Sequence, residues 1–421
     1  MMRKIKDSGI EWIGDIPKNW EVIPHKYIMH KEKTICENYS GEDIISLTMN
    51  GVIVRDLTAG GKMPTSFDGY QYVEPEDLLM CLFDIDVTPR CVGIVRNYGV
   101  TSPAYSRFKV HEGYYNAYYD YLLRFIDDEK VFVHLAKNLR SSLTETDFGA
   151  IQTVVPLYEE QKQIANFLDS KCAEIDSVIE KTKATIEEYK KLKQSIITEA
   201  VTKGIRPNRP MKDSGVEWIG EIPEDWDVSR IKYVTEFDPS CDMSGLSDDH
   251  IITYTPMEYI KNGWFINNTA SLKNVSRSLT AYQNGDIVMA KVTPCFENGN
   301  IAIMKELASG FGLGSSELFV FRPTTIKTKY LFYWLRNDIF MQMACSTMTG
   351  TGGLKRVSPS FVRNCYLHYP NIDEQIEIAD YLDQKCNEMD NLIAKKTALL
   401  AELEIYKKSL IYEYVTGKKE V

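Results

Sequence analysis

Two stretches of this 421-residue chain carry polar side chains at a spacing suited to reading a polymer of phosphates and bases. LRSSLTETDFG (139–149) offers Arg140, Ser142 and Thr144, and TGTGGLKRVSPS (349–360) offers Lys355, Arg356 and Ser358. Guanidinium, ammonium and hydroxyl groups on a loop are the donors and acceptors that meet phosphate oxygens and base edges. KVTPCFENGN (291–300) adds Lys291, Thr293, Asn298 and Asn300 on a turn-rich segment after a strand. Its counterpart, LFDIDVTPR (82–90), adds Thr88 and Arg90. For each of these an ordinary solvated loop is the competing reading. Arg55, Arg96 and Arg107 are weaker candidates, because strand side chains can point inward.

Other chemistries lack their residues. There is no GxxxxGK[ST] phosphate loop and no [DNS]PP[YFW] tetrapeptide of the amino-methyltransferase kind. GFGLGSSE (310–317) and TGTGG (349–353) have no strand–turn–helix frame around them and read as turns. The six histidines show neither metal spacing nor a nucleophile partner. Nine cysteines, an odd number with no CxxC, predict free thiols in a cytoplasmic protein. No apolar run is long enough to span a bilayer, and the first residues are polar rather than a signal peptide. The expectation is a non-catalytic chain with no cofactor or metal of its own.

The elements that position these loops are written twice. KDSGIEWIGDIPKNW (6–20) returns as KDSGVEWIGEIPEDW (212–226), offset by 206, and EEQKQIANFLDSKCAEID (159–176) returns as DEQIEIADYLDQKCNEMD (373–390), offset by 214. The candidate loops lie just before the second repeated box, where that offset sets Ser141-Ser142 opposite Lys355-Arg356. Flanks that match around loops that differ suit two lobes reading different sequences.

Each unit therefore holds a box, a globular region and a long helix. The predicted division is 1–153 for the first lobe with its box, 154–204 for a central helix, 205–366 for the second lobe with its box, and 367–421 for a C-terminal helix. From Glu159 to about Val201 there is neither Pro nor Gly, and Gly204 with Pro207 and Pro210 ends the run. Ile175, Ile179, Thr182, Ile186, Tyr189, Leu192 and Ile196 form a narrow apolar stripe, matched by Met389, Ile393, Lys396, Leu400, Leu403, Tyr406 and Leu410. Such a stripe predicts a two-helix seam, with packing of each helix onto its own lobe as the alternative. The lobes read as mixed α/β. DLLMCLF (77–83) pairs with DIVMAKV (286–292) as buried strands, and YLLRFI (121–126) with YLFYWLR (330–336) as helices, both at an offset of 209. The fold class is α+β: two similar lobes separated by two long antiparallel coiled-coil helices, with a pseudo-two-fold internal repeat. The termini are expected to lie near one another.

Two boxes KDSGxEWIGxIPxxW, each followed by a variable lobe and a P-x-x-[ED]-EQ-x-x-IA-x-[FY]-LD-x-KC helix, resemble the specificity subunit of type I restriction-modification systems. The second box reads Pro156, Glu159-Glu160-Gln161, Ile164-Ala165 and Leu168-Asp169, and again Pro370, Asp373-Glu374-Gln375, Ile378-Ala379 and Leu382-Asp383. The resemblance covers the whole chain. It implies that each lobe is a target recognition domain for half of a split site in double-stranded DNA. The helices would space the lobes and dock two modification (methyltransferase) subunits, and restriction subunits would join in some systems. S-adenosylmethionine, ATP and Mg would sit on those partners.

Charge does not by itself point to DNA. The chain carries a net charge of −10; residues 21–153 hold 13 basic and 19 acidic side chains, residues 227–366 hold 14 and 12. DNA affinity draws on phosphate neutralisation, so the first lobe must concentrate its positive charge or borrow it from a partner. The repeated boxes cannot distinguish two half-sites. Trp12, Trp20, Trp218 and Trp226 are apolar anchors, for packing inside the chain or against a partner. A two-lobed coiled-coil scaffold that never touches DNA is the alternative function, and a stand-alone methyltransferase is a more distant one.

Overall fold

Asp7 and Asp213 start the same turn in both copies of the first box. Each carboxylate accepts the backbone N–H two residues on, from Gly9 and Gly215 at 2.9 Å. Those glycines hold φ of 70° and 72°, a conformation that a Cβ would strain. The turn closes a hairpin of Ile5–Asp7 with Asp15–Pro17, and of Met211–Asp213 with Glu221–Pro223. Ile16 and Trp20, and their equivalents Ile222 and Trp226, are fully buried beneath it.

The computed structural model describes residues 3–58, 64–136, 141–241, 245–351 and 353–421. It falls into two compact units, one of residues 1–183 with 398–421 and one of residues 184–397. Each unit joins one lobe to half of each long helix, whereas the sequence division treated each helix as a segment of its own.

In the first unit an antiparallel sheet runs in the order Met29–Glu32, Ser106–Val110, Leu78–Met80, Val92–Ile94. In the second the order is Thr235–Phe237, Leu318–Pro323, Ile287–Ala290, Ile301–Ile303. The two sheets share one topology. Leu78–Met80 and Ile287–Ala290 are buried throughout, as their apolar runs predict. Both sheets are pinned by one ion pair, Arg107 on Asp77 and Arg322 on Asp286. Arg107 is 1% exposed, so it serves the core and is not available to a ligand. The second lobe also carries a four-stranded sheet, Thr269–Ser271, Ile251–Thr255, Phe311–Gly314, Thr280–Gln283. The first lobe holds the matching pairs, Gly51–Val54 with Ile45–Thr48 and Gly99–Thr101 with Gln71–Val73, joined by a parallel bridge from Ile44 to Val100. Within GFGLGSSE, Phe311–Gly314 belong to that second-lobe sheet, while Gly310 and Ser316–Glu317 form turns at the two ends of the strand. Gly312 stays bare because the Tyr282 ring lies against it.

The paired helices Asn116–Asp128 and Thr328–Trp334 match at an offset of 212, one turn away from the register read in the sequence. Tyr118 Oη donates to the Val415 carbonyl at 2.8 Å, and Tyr330 Oη to that of Val201 at 3.3 Å. Tyr121 and Tyr333 reach Asp169 and Asp383 at 2.9 and 2.6 Å. Aromatic residues recur three positions apart on both helices, so the sequence matched the wrong turn.

The long helices span Tyr158–Lys203 and Ile372–Val415. In the first unit they run antiparallel, with Phe167 against Tyr414 and Asp176 bonded to Lys407 at 2.6 Å. The second unit repeats the ion pair as Lys193 with Asp390 at 2.6 Å. Ile175, Ile179, Thr182 and Ile186 are buried as the stripe predicts, but Leu192 and Tyr406 are 47% and 55% exposed. The seam passes instead through Lys193 and Ile197, and through Lys407 and Ile411. A 3.6-residue turn drifts against a 3.5-residue repeat, and the lysine–aspartate pairs take up the drift.

In the first unit the chain ends meet: Arg3 Nε lies 3.5 Å from Glu420, and Lys418 donates to the Asp15 carbonyl. Among the described residues every cysteine is a free thiol, no group of side chains could hold a metal, and no helix is long and apolar enough to cross a membrane.

Candidate nucleic-acid interface

The second repeated box clamps lobe to helix. Gln161 accepts the Tyr115 N–H at 2.8 Å and donates to the Pro156 carbonyl at 2.9 Å; Gln375 does the same with Lys327 and Pro370, both at 2.8 Å. The preceding glutamate meets a tryptophan and an arginine. Trp20 Nε1 donates to Glu160 at 3.0 Å and Trp226 Nε1 to Glu374 at 3.3 Å. Arg3 and Arg209 bond the same carboxylates and lie over the same indoles, 5.5 and 5.6 Å from the ring centres. The boxes thus serve packing inside the chain. Arg3 and Arg209 were missed in the sequence, although extending the 206 offset three residues upstream would have found them.

With the lobe fixed to its helix, the two candidate loops of each lobe are brought side by side. In the first lobe Leu143 N donates to the Leu82 carbonyl at 2.8 Å and Ile85 N to that of Ser141 at 3.1 Å. In the second, Val357 N donates to the Lys291 carbonyl and Thr293 N to that of Lys355, both at 2.9 Å. Leu82 and Lys291 are equivalent, as are Leu143 and Val357. One frame therefore presents two different loop pairs.

On the first lobe Thr88 closes its own turn, donating to the Asp84 carbonyl at 2.8 Å. Arg90 Nη1 donates to the Met49 carbonyl at 3.0 Å, and burial lowers its pKa. Ser142 is half-buried. Arg140 lies outside the described residues. Thr144 caps the helix Glu145–Ala150: its hydroxyl accepts the Asp147 N–H at 3.1 Å, and the Asp147 carboxylate answers. Ser358, its equivalent, caps Pro359–Asn364, accepting the Phe361 N–H at 3.3 Å. Their shared work explains why a hydroxyl stands at that position in both copies. Thr144 also donates its hydroxyl hydrogen to the Asp147 carboxylate at 2.6 Å, so it is the less available of the two for a base.

On the second lobe Thr293 is also engaged. Its hydroxyl donates to the Gly353 carbonyl at 2.7 Å and accepts the Lys355 N–H at 2.9 Å, tying the two loops together. Asn298 and Lys355 are exposed and Asn300 is half-buried, and their side chains hydrogen-bond no described residue. Lys291 Nζ lies 5.5 Å over the Phe319 ring. Arg356 is held by both oxygens of Glu317, Nε and Nη2 each at 2.8 Å. That contact lowers the Glu317 pKa and raises the arginine's. Glu317 was missed, because it ends a glycine-rich stretch that carries no repeat signal.

Residues 223–404 match the family model described as the type I restriction modification DNA specificity domain. The chain is 33% identical over 194 residues to the EcoAI specificity subunit of Escherichia coli, covering 45% of this chain and 33% of that one. It is 32% identical over 188 residues to the EcoEI specificity subunit of Escherichia coli, covering 43% and 31%. Its matched segment spans about a third of the length of these two relatives. To the MjaVIII specificity subunit of Methanocaldococcus jannaschii it is 27% identical over 295 residues, covering 65% and 63%. The fold is that of a chain solved in a study of assembly and conformational transition of the type I R-M system (TM-score 0.71, 14% identity, covering 96% of this chain and 99% of that chain). It is also similar to the HsdS subunit from Thermoanaerobacter tengcongensis (TM-score 0.52, 14% identity, covering 96% and 98%).

Proposed function

We propose that the chain is a specificity subunit of the type I restriction-modification kind, which it resembles over residues 223–404, and that it selects a bipartite DNA sequence, one half with each lobe. The observation that carries this reading is the shared loop frame, Leu143 on Leu82 and Val357 on Lys291, with different side chains mounted on it. A frame held constant while its contents differ fits two half-sites of unrelated sequence. The chain is non-catalytic in this reading. Two modification subunits dock on it and supply S-adenosylmethionine, and in a full system restriction subunits join with ATP and Mg. Working on DNA with these partners, it belongs in the cytoplasm.

The first lobe's acidic balance, 13 basic against 19 acidic side chains over residues 21–153, implies that the isolated chain binds DNA weakly and gains affinity from its modification subunits. Mapping methylated adenines in the host genome tests the reading. A split motif that disappears when this gene is deleted is the expected result. An unchanged methylation pattern would remove it, and salt-independent assembly without duplex binding would favour a scaffold.

A further inference from the structure

Arg356 and Glu317 form an arrangement that does not recur at the equivalent position of the first lobe. The residue opposite Arg356 there is Ser142. Both partners are anchored through their backbones: Glu317 accepts the Lys291 N–H on its carbonyl at 3.0 Å, and Arg356 exchanges two hydrogen bonds with Thr349 at 2.8 and 3.0 Å. The carboxylate takes Nε and one side of Nη2. It leaves the other edge of the guanidinium, Nη1 with the second Nη2 hydrogen, as a planar fork of two parallel donors. The arginine side chain is still 48% exposed. The fork is thus preoriented and lies on the paired-loop surface beside Lys355 and Thr293.

Two partners have acceptors spaced for such an edge, a phosphate and the O6/N7 edge of guanine. Backbone phosphates occur in every half-site, so a phosphate contact should recur in both lobes. This arginine stands only where the two loops differ. We infer that Arg356, held flat by Glu317, reads a guanine in the half-site of the second lobe. The inference rests on the DNA reading above. Glu317 acts as a positioning residue, restricting the rotamers from which Arg356 could accept another base.

The test is binding of duplex oligonucleotides by the chain assembled with its modification subunits. The duplexes carry the mapped motif, with each guanine of both half-sites replaced in turn by 7-deazaguanine, which lacks the N7 acceptor. The wild-type complex should lose roughly tenfold in affinity at one guanine. In Arg356→Lys and Arg356→Ala complexes the same replacement should cost less than about twofold. Glu317→Gln should keep most of the affinity while narrowing the preference for guanine over adenine at that position. Lysine retains the charge, so a loss of deazaguanine sensitivity there is not a folding failure. Two results would overturn the inference while leaving the DNA reading intact. One is equal weakening on every sequence with deazaguanine sensitivity unchanged, which would make Arg356 a loop fastener or phosphate contact. The other is a sequence-specific wild-type complex that tolerates every replacement. A wild-type complex with no sequence preference would overturn the DNA reading and this inference with it.

Discussion

Lys407 Nζ lies 2.6 Å from Asp176 Oδ1, joining the second long helix to the first. The same two residue types meet again as Lys193 and Asp390, and the offset of 214 carries each pair onto the other with the helices exchanged. Each unit thus holds its own copy of the lysine–aspartate pair, with the roles of the two helices exchanged. The register of the helices is therefore written into two lysines and two aspartates.

Lengthening both helices together should lengthen the gap in the DNA target. The two pairs lie seventeen positions apart on each helix, so seven residues added after Lys183 require seven after the equivalent Thr397. One heptad keeps the seam on one face and adds about 10 Å. At about 3.4 Å per base pair the gap should grow by up to roughly three base pairs with the half-site bases unchanged. Methylation mapping of an active double-insertion variant checks this; an unchanged gap would show that the helices are not the ruler.

Removing Glu374 should hurt more than removing Glu160. The Glu374 side chain is fully buried against Arg209 and Trp226, whereas that of Glu160 is 21% exposed. Glu374→Ala leaves Arg209 with only the exposed Asp225 of its two carboxylates and takes the acceptor from Trp226 Nε1, a loss of roughly 1–3 kcal/mol. Hydrogen exchange should show faster opening of the Asp227–Arg230 and Tyr366–Tyr369 strand pair, with a smaller effect for Glu160→Ala on Glu21–Pro24 and Gln152–Val155.

Acid should weaken both lobes before ordinary carboxylates titrate. Burial lowers His25 and His368 from 6.5 to about 4, against smaller opposing pulls from the Phe148 and Val201 backbones. The unfolded chain takes up these protons below pH 6.5 and the folded chain does not until about pH 4. Their stabilising contribution is thus complete above 6.5 and is lost as pH falls toward 4. Between pH 6.5 and 5 each imidazole should cost roughly 2 kcal/mol. Urea unfolding of His368→Leu beside the wild type at pH 7.5 and 5 measures it, and an equal acid loss in both would refute the assignment.

Thr144→Ala and Ser358→Ala should lower stability without changing the motif. Each removes an N-cap hydroxyl, a loss of about 1 kcal/mol. A shifted base preference in either methylation map would return that residue to the reading surface.

Linear pattern alone disclosed the duplication, the two long helices, the buried strands and the resemblance to specificity subunits. Each is a local or repeated feature: a 3.6-residue period, an apolar run, a box that recurs at a fixed offset. Tertiary structure decided the rest. Thr144 and Ser358 look like ligand-binding hydroxyls until the helices they cap are seen. The helical register was misread by one turn because an aromatic every three residues is self-similar along the chain, and only the Tyr118 and Tyr330 hydrogen bonds break the tie. Leu192 and Lys193 exchange places in the seam because the acid that turns the lysine inward, Asp390, lies 197 residues away. Glu317 acquires its meaning from Arg356, 39 residues on. Periodicity is a property of neighbours along the chain, whereas a hydrogen bond between loops depends on where folding has carried both ends.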